Sequence, residues 1–281
     1  TGVQTCALPI LLAALSALSA GKAHLVLTEK RFARLGVQRE TAGALALPRL
    51  DAERIFALAT KQDARIDAPV GATTIIDRAG LDLAGLALLL PAIIVLPANN
   101  ETLAGEAIVS VKAEAIEHYR RQATTKVTLV SRAPVPLEGA EQSEFIVFRG
   151  GEGLRDQVAV KIGSPDPQNA VLVRLHSACL TGDLFGSLKC DCGDQLRESV
   201  RMMAAQGGGY LLYLDQEGRG AGLSNKIRAY KLQDDGFDTY DADAELGLDV
   251  DQRHFDFAAA MLEQIGVKDR KSTRLNSSHG Y

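Results

Sequence analysis

Three cysteines lie close together in the segment HSACLTGDLFGSLKCDCGDQL, residues 176–196. Cys179, Cys190 and Cys192 are soft ligands of the kind that bind Zn²⁺ tetrahedrally. A structural zinc site closes all four positions with protein ligands, whereas a catalytic site leaves one position for water. Three cysteines therefore favour an open, hydrolytic zinc site. A structural site completed by His176 or a distant group is the alternative, and the spacing leaves the two interpretations nearly balanced.

Two other segments could take part in chemistry. The glycine-rich loop QEGRGAG, residues 216–222, offers consecutive backbone N–H groups that could surround an anion, and Arg219 adds a planar donor for phosphate or a purine edge. The loop matches neither the GxGxxG fingerprint, because Leu223 stands at the last glycine position, nor the P-loop. Taken alone, it is more often only a turn, just as Asp251 and Arg253 taken alone are more often a surface ion pair.

The composition is that of a globular protein of one large or two ordinary domains, with 281 residues, 46% hydrophobic and 23% charged. A net charge of -4 gives no overall attraction to nucleic acid or to an anionic membrane, so we expect neither as a partner. Four cysteines are too few for a disulfide scaffold, which favours a reducing, cytoplasmic setting. The apolar stretch 83–97 is shorter than the roughly 20 residues that span a bilayer and predicts a buried helix followed by a buried strand.

The two ends differ in character from the rest of the chain. TGVQTCALPI and RKSTRLNSSHGY resemble translated sequencing-adapter sequence, so we expect residues 1–9 and 268–281 to be non-native. The apolar run that follows the first segment resembles a signal peptide only superficially, because it lacks a basic start. We expect it to form a helix that ends near Ser19.

The elements that must position the candidate residues form two predicted domains. Residues 10–130 alternate helical and strand-like patterns, including the strand AHLVLT, and predict an N-terminal α/β domain. Residues 131–144 have the composition of a linker. Residues 145–267 form the second domain, and the fold class is α+β with a mixed sheet in that domain.

The second domain begins with three short strands, EFIVFR, QVAVKI and AVLVRLH, which we expect to be antiparallel. The third strand leads into the cysteine loop. A helix then runs from Gly193 and Asp194 to Gln206, followed by the strand YLLYL. An amphipathic helix over about 253–265 is predicted to turn Phe255, Ala259 and Leu262 inward.

The blocks RLHSACLTGDLFGSLKCDCGDQL, YLDQEGRGAGLSNKIRAYKLQDDGFDT and DADAELGLDVDQRHF, in this order, closely resemble GTP cyclohydrolase II, the first committed enzyme of riboflavin synthesis. The resemblance implies a zinc hydrolase that opens the imidazole ring of GTP and releases C8 as formate. It also implies that pyrophosphate is cleaved off with Mg²⁺, which leaves 2,5-diamino-6-(5-phospho-ribosylamino)pyrimidin-4(3H)-one. The substrate partner would be GTP, and the assembly a homodimer.

The resemblance assigns a role to each matching residue. The zinc ligands are matched by Cys179, Cys190 and Cys192. Contacts to GTP are matched by Arg174, Leu175, His176, Ser177, Ala178, Gln195, Glu217, Gly218, Arg219 and Thr239. Tyr230 matches an active-site tyrosine, Asp251 a proton acceptor, and Arg253 a nucleophile that takes the nucleotidyl group. These roles replace the surface-pair interpretation of Asp251 and Arg253, because a guanidinium nucleophile requires a neighbouring base.

The sequence also departs from the family pattern. Ala178 stands where glutamate is common, Asp215 where arginine is common, and Ala221 and Ser224 replace larger apolar residues. The family continues past the position of Val267 with a strand, a TNNP turn and a lysine. We therefore expect a truncated chain with weak or no GTP turnover, and the alternative function is a catalytically weak scaffold that binds zinc and nucleotide.

The N-terminal domain is similar in outline to 3,4-dihydroxy-2-butanone 4-phosphate synthase, which is fused ahead of the cyclohydrolase in many bacteria. In AHLVLTEKRFARLG, basic residues stand where that family has an acidic cluster for Mg²⁺ and substrate. We expect a related but non-catalytic accessory domain. A zinc nucleobase deaminase, the rival enzyme class, needs HxE and PCxxC, whereas this chain has HSA and CDC.

Overall fold

The computed structural model describes residues 21–97, 109–123, 126–150, 156–249 and 251–272. The predicted helix ending near Ser19, the predicted non-native residues 1–9 and most of the predicted non-native end 268–281 lie outside these ranges. Residues 268–272 of that end lie inside them, and Asp269–Ser272 form a strand of the second sheet. The chain divides into two compact units, Thr1–His118 with Ser224–Asp251, and Tyr119–Leu223 with Gln252–Tyr281. Within the described ranges, no helix combines the length and the apolar character needed to cross a membrane.

The described elements follow one another along the chain as helices and strands of ordinary length. In order they are β1 (Ala23–Leu27), α1 (Glu29–Arg34), β2 (Gly43–Leu47), α2 (Ala52–Thr60), β3 (Val70–Ala72), α3 (Ile75–Leu86), β4 (Ala92–Val95), α4 (Ala113–Ala123), β5 (Val127–Pro134), β6 (Ser143–Gly150), β7 (Asp156–Gly163), β8 (Ala170–Ser177), α5 (Cys192–Ala205), β9 (Gly208–Leu214), α6 (Leu223–Asp234), α7 (Thr239–Glu245), α8 (Asp256–Ile265) and β10 (Asp269–Ser272).

The first unit is built on a four-stranded antiparallel sheet with the strand order β3-β2-β1-β4. The strand predicted at AHLVLT is confirmed as β1, whose residues Ala23, Leu25 and Leu27 pack with Phe32 of α1 and with β2. The helices begin at side-chain caps: Thr28 accepts a hydrogen bond from the Arg31 amide at the start of α1. The sheet and its caps thus define a core independent of the cysteine segment.

The apolar stretch at residues 83–97 is less buried than its composition predicts. Helix α3 ends at Leu86, and Leu83 and Leu89 are 46% and 60% exposed. Strand β4 lies at the edge of its sheet and is only half-buried. Hydrophobicity alone does not reveal which face of a helix or strand has a partner, and here only Ala84 of α3 within this stretch is buried.

Helices α6 and α7 belong to the first unit, although the predicted domain 145–267 places them in the second. Their connection to the N-terminal elements includes the buried ion pair between Arg31 Nη1 and Glu245 Oε1, 2.6 Å apart. A sequence pattern predicts a helix but not the element against which it packs, so this difference was not accessible from periodicity.

The second unit contains a six-stranded mixed sheet with the order β10-β8-β9-β7-β6-β5. Strands β10, β8 and β9 are parallel, and the pairs β9-β7, β7-β6 and β6-β5 are antiparallel. The mixed sheet confirms the predicted fold class. The expectation that β8 is antiparallel is wrong, because α5 carries the chain across the sheet and lets β8 and β9 run in the same direction.

The segment predicted as a linker, residues 131–144, forms a hairpin instead. Residues 131–134 continue β5, and β6 begins at Ser143, with Pro134 opposite Glu144 across the antiparallel pair. Prolines are tolerated at the edge of a sheet, where β5 lies, so two prolines and a glycine did not indicate a domain boundary here.

Two layers of side chains enclose this sheet. Val200 and Met203 of α5 belong to one hydrophobic cluster of the sheet, and Phe257, Met261 and Leu262 of α8 belong to a second. The helix predicted from Gly193 and Asp194 to Gln206 is confirmed as α5.

Helix α8 begins at Asp256 rather than 253, and Phe255 and Ala259, predicted to point inward, are exposed, whereas Leu262 is buried as predicted. The register of the inward face therefore differs from the predicted one, because the residues before Asp256 bond to the glycine-rich loop.

Candidate metal centre

The three cysteine sulfurs converge in the second unit. Cys179 Sγ lies 3.6 Å from Cys190 Sγ, and the three sulfurs, including that of Cys192, all lie within 4.8 Å of one another. Zinc–sulfur bonds of about 2.3 Å in a tetrahedron place two sulfurs about 3.8 Å apart. The spacing therefore suits a zinc ion. In the part of the chain that the structure describes, no other group of three His, Cys, Asp or Glu side chains converges in this way.

Each cysteine is positioned by a different local feature. Cys179 follows the end of β8 and caps a π-helical turn, Leu180–Leu184. Cys192 is the first residue of α5, and Cys190 lies in the loop before it. Gly182 permits the close approach of these parts, because a Cβ atom there would lie 2.7 Å from Cys190 Sγ and 3.0 Å from Cys179 Sγ. The Gly182 amide also donates to Cys179 Sγ at 3.3 Å.

The electrostatics of the cluster suit a cation. Burial, together with the neighbouring Cys179 and Cys190, raises the pKa of the Cys192 thiol well above its ordinary value. Ionising three adjacent thiols is costly unless a positive charge lies between them, and a bound divalent cation supplies that charge and deprotonates coordinating thiols. The donor set and the sulfur spacing thus both fit zinc.

A buried polar group supports the first cysteine. Asp183 Oδ2 accepts hydrogen bonds from the Cys179 amide and the Tyr213 hydroxyl, both at 2.9 Å, and Asp183 Oδ1 lies 3.1 Å from His176 Nε2. Burial opposes ionisation of this carboxyl, but the hydrogen bonds to His176, the Cys179 amide and Tyr213 lower its pKa below the usual value. Asp183 thus fixes the backbone of Cys179 with a carboxylate that is already ionised.

His176 takes part in this support rather than in the cysteine group. Its side chain is 4% exposed, its ring stacks on Tyr213 with centroids 5.6 Å apart, and its Nε2 faces Asp183. The structure therefore does not bring His176 into the metal-binding group that it was considered to complete. Asp183 and Tyr213 were missed by sequence reasoning; the polar residue in LTGD, between two cysteines, was the available signal for Asp183.

A second polar chain adjoins the cluster. Arg174 Nη2 donates to Gln195 Oε1 at 2.8 Å, and Gln195 Nε2 donates to Asp191 Oδ2 at 2.7 Å. Burial lowers the pKa of Arg174, while Cys192 and Asp191 oppose that effect. Among the described residues, the buried Arg174 Nε has no hydrogen-bond partner. Two of the predicted GTP contacts, Arg174 and Gln195, are thus held together beside the cysteines with donor capacity remaining.

The glycine-rich loop is bonded to the cysteine turn. Residues Glu217–Gly220 form a 3₁₀ turn in which Gly218 and Arg219 adopt left-handed backbone angles, with φ of 61° and 56°. Such a φ is unusual for a residue other than glycine, and strained backbone of this kind concentrates at functional sites. Glu217 Oε2 accepts from the Leu180 amide at 2.6 Å.

The same loop is bonded to the segment that carries Arg253. The Gln252 amide donates to the Arg219 carbonyl at 3.0 Å, and Gln216 Nε2 donates to the His254 carbonyl at 2.6 Å. The guanidinium of Arg253 lies over the Phe255 ring, 5.4 Å from its centroid. The second unit therefore brings the cysteine turn, the glycine-rich loop and the Arg253 segment together.

The predicted site residues are distributed over both units. The second unit contains the cysteines, residues 174–178, Gln195, residues 217–219 and Arg253. Leu175 is exposed, and Ser177 and Ala178 are half-buried at the end of β8. The first unit contains Tyr230, Thr239 and Asp251.

Two of the three residues of the first unit lie on helices, and Asp251 lies outside any helix or strand. Tyr230 lies on α6, with the Lys226 ammonium 5.7 Å from its ring centroid. Thr239 is the first residue of α7, and its hydroxyl accepts from Gln233 Nε2 at 3.0 Å. Asp251 is exposed. These positions place the predicted nucleotide contact Thr239 at a helix start.

The fold and the site together define a two-domain α+β protein with a three-cysteine centre able to hold a metal ion. The sequence profile of the family described as GTP cyclohydrolase II matches residues 128–275, just over half of the chain. The chain belongs to the GTP cyclohydrolase II family. This confirms the family that the three sequence blocks indicate.

Curated relatives extend the similarity into the N-terminal part. The GTP cyclohydrolase-2 of Xylella fastidiosa (strain Temecula1) is 46% identical over 246 residues, which cover 87% of this chain and 62% of the relative. The GTP cyclohydrolase-2 of Azospirillum brasilense is 44% identical over 258 residues, covering 86% of this chain and 67% of the relative. The chain thus spans less than two thirds of the length of the X. fastidiosa protein.

A solved structure, a two-domain 3,4-dihydroxy-2-butanone 4-phosphate synthase from A. baumannii, is 16% identical with a TM-score of 0.27, covering 97% of this chain and 85% of that chain. A TM-score of this size does not indicate a shared fold.

Proposed function

We propose that the protein is a zinc-dependent GTP cyclohydrolase II that hydrolyses GTP to 2,5-diamino-6-(5-phospho-ribosylamino)pyrimidin-4(3H)-one, formate and pyrophosphate, the first step of riboflavin biosynthesis. The observation that carries the proposal is the convergence of Cys179, Cys190 and Cys192 within 4.8 Å, inside the region that the family profile matches. Release of C8 as formate requires two C–N bonds of the imidazole ring to be hydrolysed, which is chemistry suited to an open metal site.

The three thiolates would hold zinc, and when bound the ion would supply the Lewis acidity that makes water nucleophilic near neutral pH. Gly182 leaves room for the sulfurs, and Asp183 fixes the backbone of Cys179. Supporting groups of this kind orient metal ligands and tune their affinity. The chain's own contribution to ring opening is thus the placement of three ligands for one ion.

Cationic groups beside the centre would orient the nucleotide. Arg174 retains a buried donor beside Cys192, and Arg219 lies in a strained loop that is bonded to the cysteine turn through Glu217. Guanidinium groups bind phosphate and purine edges through paired donors. Glu217 would hold the loop in register through its bond to the Leu180 amide. These contacts support a bound GTP whose base faces the cysteine centre.

Cleavage of pyrophosphate would use a different set of residues. Asp251 would act as proton acceptor for Arg253, which would take the nucleotidyl group, with Tyr230 and Thr239 beside the nucleotide. Mg²⁺ would bind the substrate phosphates, as it does in most phosphoryl-transfer sites. Reduced thiols of this kind suit a cytoplasmic setting, and the family resemblance supports a homodimer.

The test is to incubate the zinc-loaded protein with GTP and Mg²⁺ and to measure formate, pyrophosphate and ammonia. Formate and pyrophosphate together support the proposal. Ammonia without formate would indicate a deaminase, and GTP binding without any product would indicate a scaffold; either result contradicts the proposal.

A matched pair of variants localises the activity. We expect Cys190→Ser to lose zinc and formate release, because a serine hydroxyl is a poor zinc ligand. Leu188→Ser changes a side chain that is 99% exposed in the same loop and should retain both. Full formate release by Cys190→Ser would contradict the assignment of the metal site.

A further inference from the structure

Helix α1 and its cap hold the segment that follows α7, and all of these residues belong to the first unit. The Thr28 hydroxyl donates to the Gly247 carbonyl at 2.8 Å, and Lys30 Nζ lies 2.5 Å from Asp249 Oδ1. Arg34 forms a further ion pair with Asp241. One short stretch of the N-terminal part thus binds residues 241–249 at several points, 207 to 219 residues further along the chain.

Arg31 is the buried centre of this contact. Its side chain is 1% exposed, and Nη1 donates to both the Glu245 carbonyl at 2.7 Å and Glu245 Oε1 at 2.6 Å. The Nε atom donates to the Leu58 carbonyl at 2.8 Å, and Nη2 donates to the carbonyls of Ala57 and Lys61. A guanidinium makes such a set of fixed, divergent bonds, and an ammonium does not. Arg31 therefore ties the end of α2 to the end of α7.

The backbone at Gly247 approaches α1 closely. Its φ is 72°, and a Cβ atom there would lie 2.7 Å from Thr28 Oγ1 and 3.0 Å from Arg31 Cβ. Any other residue would force the two segments apart and would strain the backbone. The lack of a side chain at Gly247 therefore lets the chain after α7 lie directly against α1.

Two residues of the proposed active site adjoin the segment held in this way. Thr239 begins α7, and Glu245 ends it, so both lie on one helix of about 10 Å. A helix this short moves as a unit, so fixing Glu245 also fixes Thr239. Asp251 follows Asp249, the partner of Lys30, by two residues.

We propose that Arg31 is a positioning residue of the GTP site: through Glu245 it fixes α7 and the chain that follows, and thereby Thr239 and Asp251. The inference rests on the proposed function for the roles of those two residues. Arg31, Thr239 and Asp251 all belong to the first unit, so this role of Arg31 acts within that unit.

The first measurement is amide hydrogen exchange, which does not depend on enzymatic activity. We expect Arg31→Lys to accelerate exchange over residues 239–249 at least tenfold, while β8 and β9 of the second unit keep the exchange rates of the unchanged protein. Thr28→Val, which removes the hydroxyl that donates to the Gly247 carbonyl and caps α1 but leaves the bonds of Arg31, should have a smaller effect in the same segment. Arg54→Ala, which breaks the surface ion pair between Arg54 of α2 and Asp67, is the control and should change neither region.

The second measurement is GTP turnover by the same zinc-loaded variants. We expect kcat/KM for formate release to fall at least tenfold in Arg31→Lys, with zinc content unchanged, because the cysteine centre lies in the second unit. A purely structural role would lower zinc content and activity in proportion. Thr28→Val should show a smaller loss, and Arg54→Ala should retain full activity.

The outcomes separate the two proposals. If the unchanged protein releases no formate, the proposed function fails, and the exchange data still decide whether Arg31 fixes α7. Unchanged exchange over 239–249, or equal acceleration in β8 and β9, would overturn the positioning role. Unchanged kinetics with accelerated exchange would overturn its link to catalysis. Should Arg31→Lys fail to fold, Thr28→Val decides by the same criteria.

Discussion

At the scale of single residues, the lack of a side chain at Gly182 leaves the space in which the sulfurs of Cys179, Cys190 and Cys192 approach one another. We expect Gly182→Ala to weaken zinc binding by about 10–100-fold, the range found when groups supporting metal ligands are altered. The reason is steric: the added methyl would lie 2.7 Å from Cys190 Sγ. Competition with a chelating dye measures the affinity.

Gly85→Ala is the matched control for this change. Gly85 lies in α3, and a Cβ atom there would have no neighbour within 4 Å, so the substitution should leave zinc affinity unchanged and stabilise the helix slightly. An affinity of Gly182→Ala equal to that of the unchanged protein would show that the sulfurs have more room than their spacing implies.

The sequence predicted the cysteines but not the residues that support them. Three thiols within a short segment are visible as a pattern, because metal ligands are few residue types with limited spacing. Asp183 and Tyr213 meet only because β8 and β9 are neighbours, with His176 opposite Tyr213. A contact of this kind depends on strand pairing, which periodicity does not determine.

At the scale of elements, the start of α3 makes the first unit sensitive to acid. Asp77 is buried, accepts a hydrogen bond from the Thr74 amide at 2.7 Å and lies 2.8 Å from His24 Nε2. Burial opposes ionisation, but the bonds to Thr74 and His24 prevail and lower the pKa of Asp77 below its ordinary value. In the unfolded chain the Asp77 carboxyl has the ordinary aspartate pKa of about 3.9. The stabilisation is therefore complete above that pH and is lost as the pH falls through the lower, folded value.

We expect Asp77→Asn to lower the free energy of unfolding of this unit by about 1–2 kcal/mol at pH 7, since an amide replaces a charged cap. At pH 3, below the unfolded value of about 3.9, the difference should be smaller, because protonation of the unfolded carboxyl removes part of the stabilisation. Amide hydrogen exchange of α3 at pH 7 and at pH 3 measures this difference in the free energy of unfolding. A difference that stays constant from pH 7 to pH 3 would show that the carboxylate charge contributes nothing.

Element existence was predicted better than element pairing. The helix α5 and strands β1, β8 and β9 follow from periodicity and turn residues, and all are present. The predicted start of α8 was wrong because two hydrogen bonds keep the preceding residues out of the helix. Gln216 Nε2 donates to the His254 carbonyl, and the Gln252 amide donates to the Arg219 carbonyl. Hydrogen bonds between distant segments override local helical preference at such boundaries.

At the scale of the whole molecule, the metal centre belongs to one unit only. We expect removal of zinc by a chelator to accelerate amide exchange in the cysteine turn and the first turn of α5 at least tenfold. A ligand present at 100 times its dissociation constant stabilises the state that binds it by about 2.7 kcal/mol. Strands β1 and β2 of the first unit should be unaffected, since the cysteines lie in the second.

Re-addition of zinc should restore the original exchange rates, which separates metal loss from irreversible damage. Equal acceleration in both units would contradict the assignment of the centre to the second unit alone.

The division of the molecule was the feature least accessible from the sequence. A boundary was predicted from prolines and charge at residues 131–144, but the chain there is a hairpin at a sheet edge. The first unit instead recruits α6 and α7 from far along the chain. Domain prediction from sequence composition assumes that each domain is one continuous segment. The first unit consists of two separate segments and so does not meet that assumption.

The buried pair of Arg31 and Glu245 also has a consequence for biosynthesis. The two residues are 214 positions apart, so a ribosome adding about 5–20 residues per second synthesises the second partner about 10–40 s after the first. During this interval the guanidinium stays hydrated, and the apolar face of α1 cannot close fully over its sheet. We therefore expect the nascent N-terminal segment to stay incompletely packed until Glu245 leaves the exit tunnel, and slowing translation after α1 should lengthen that interval.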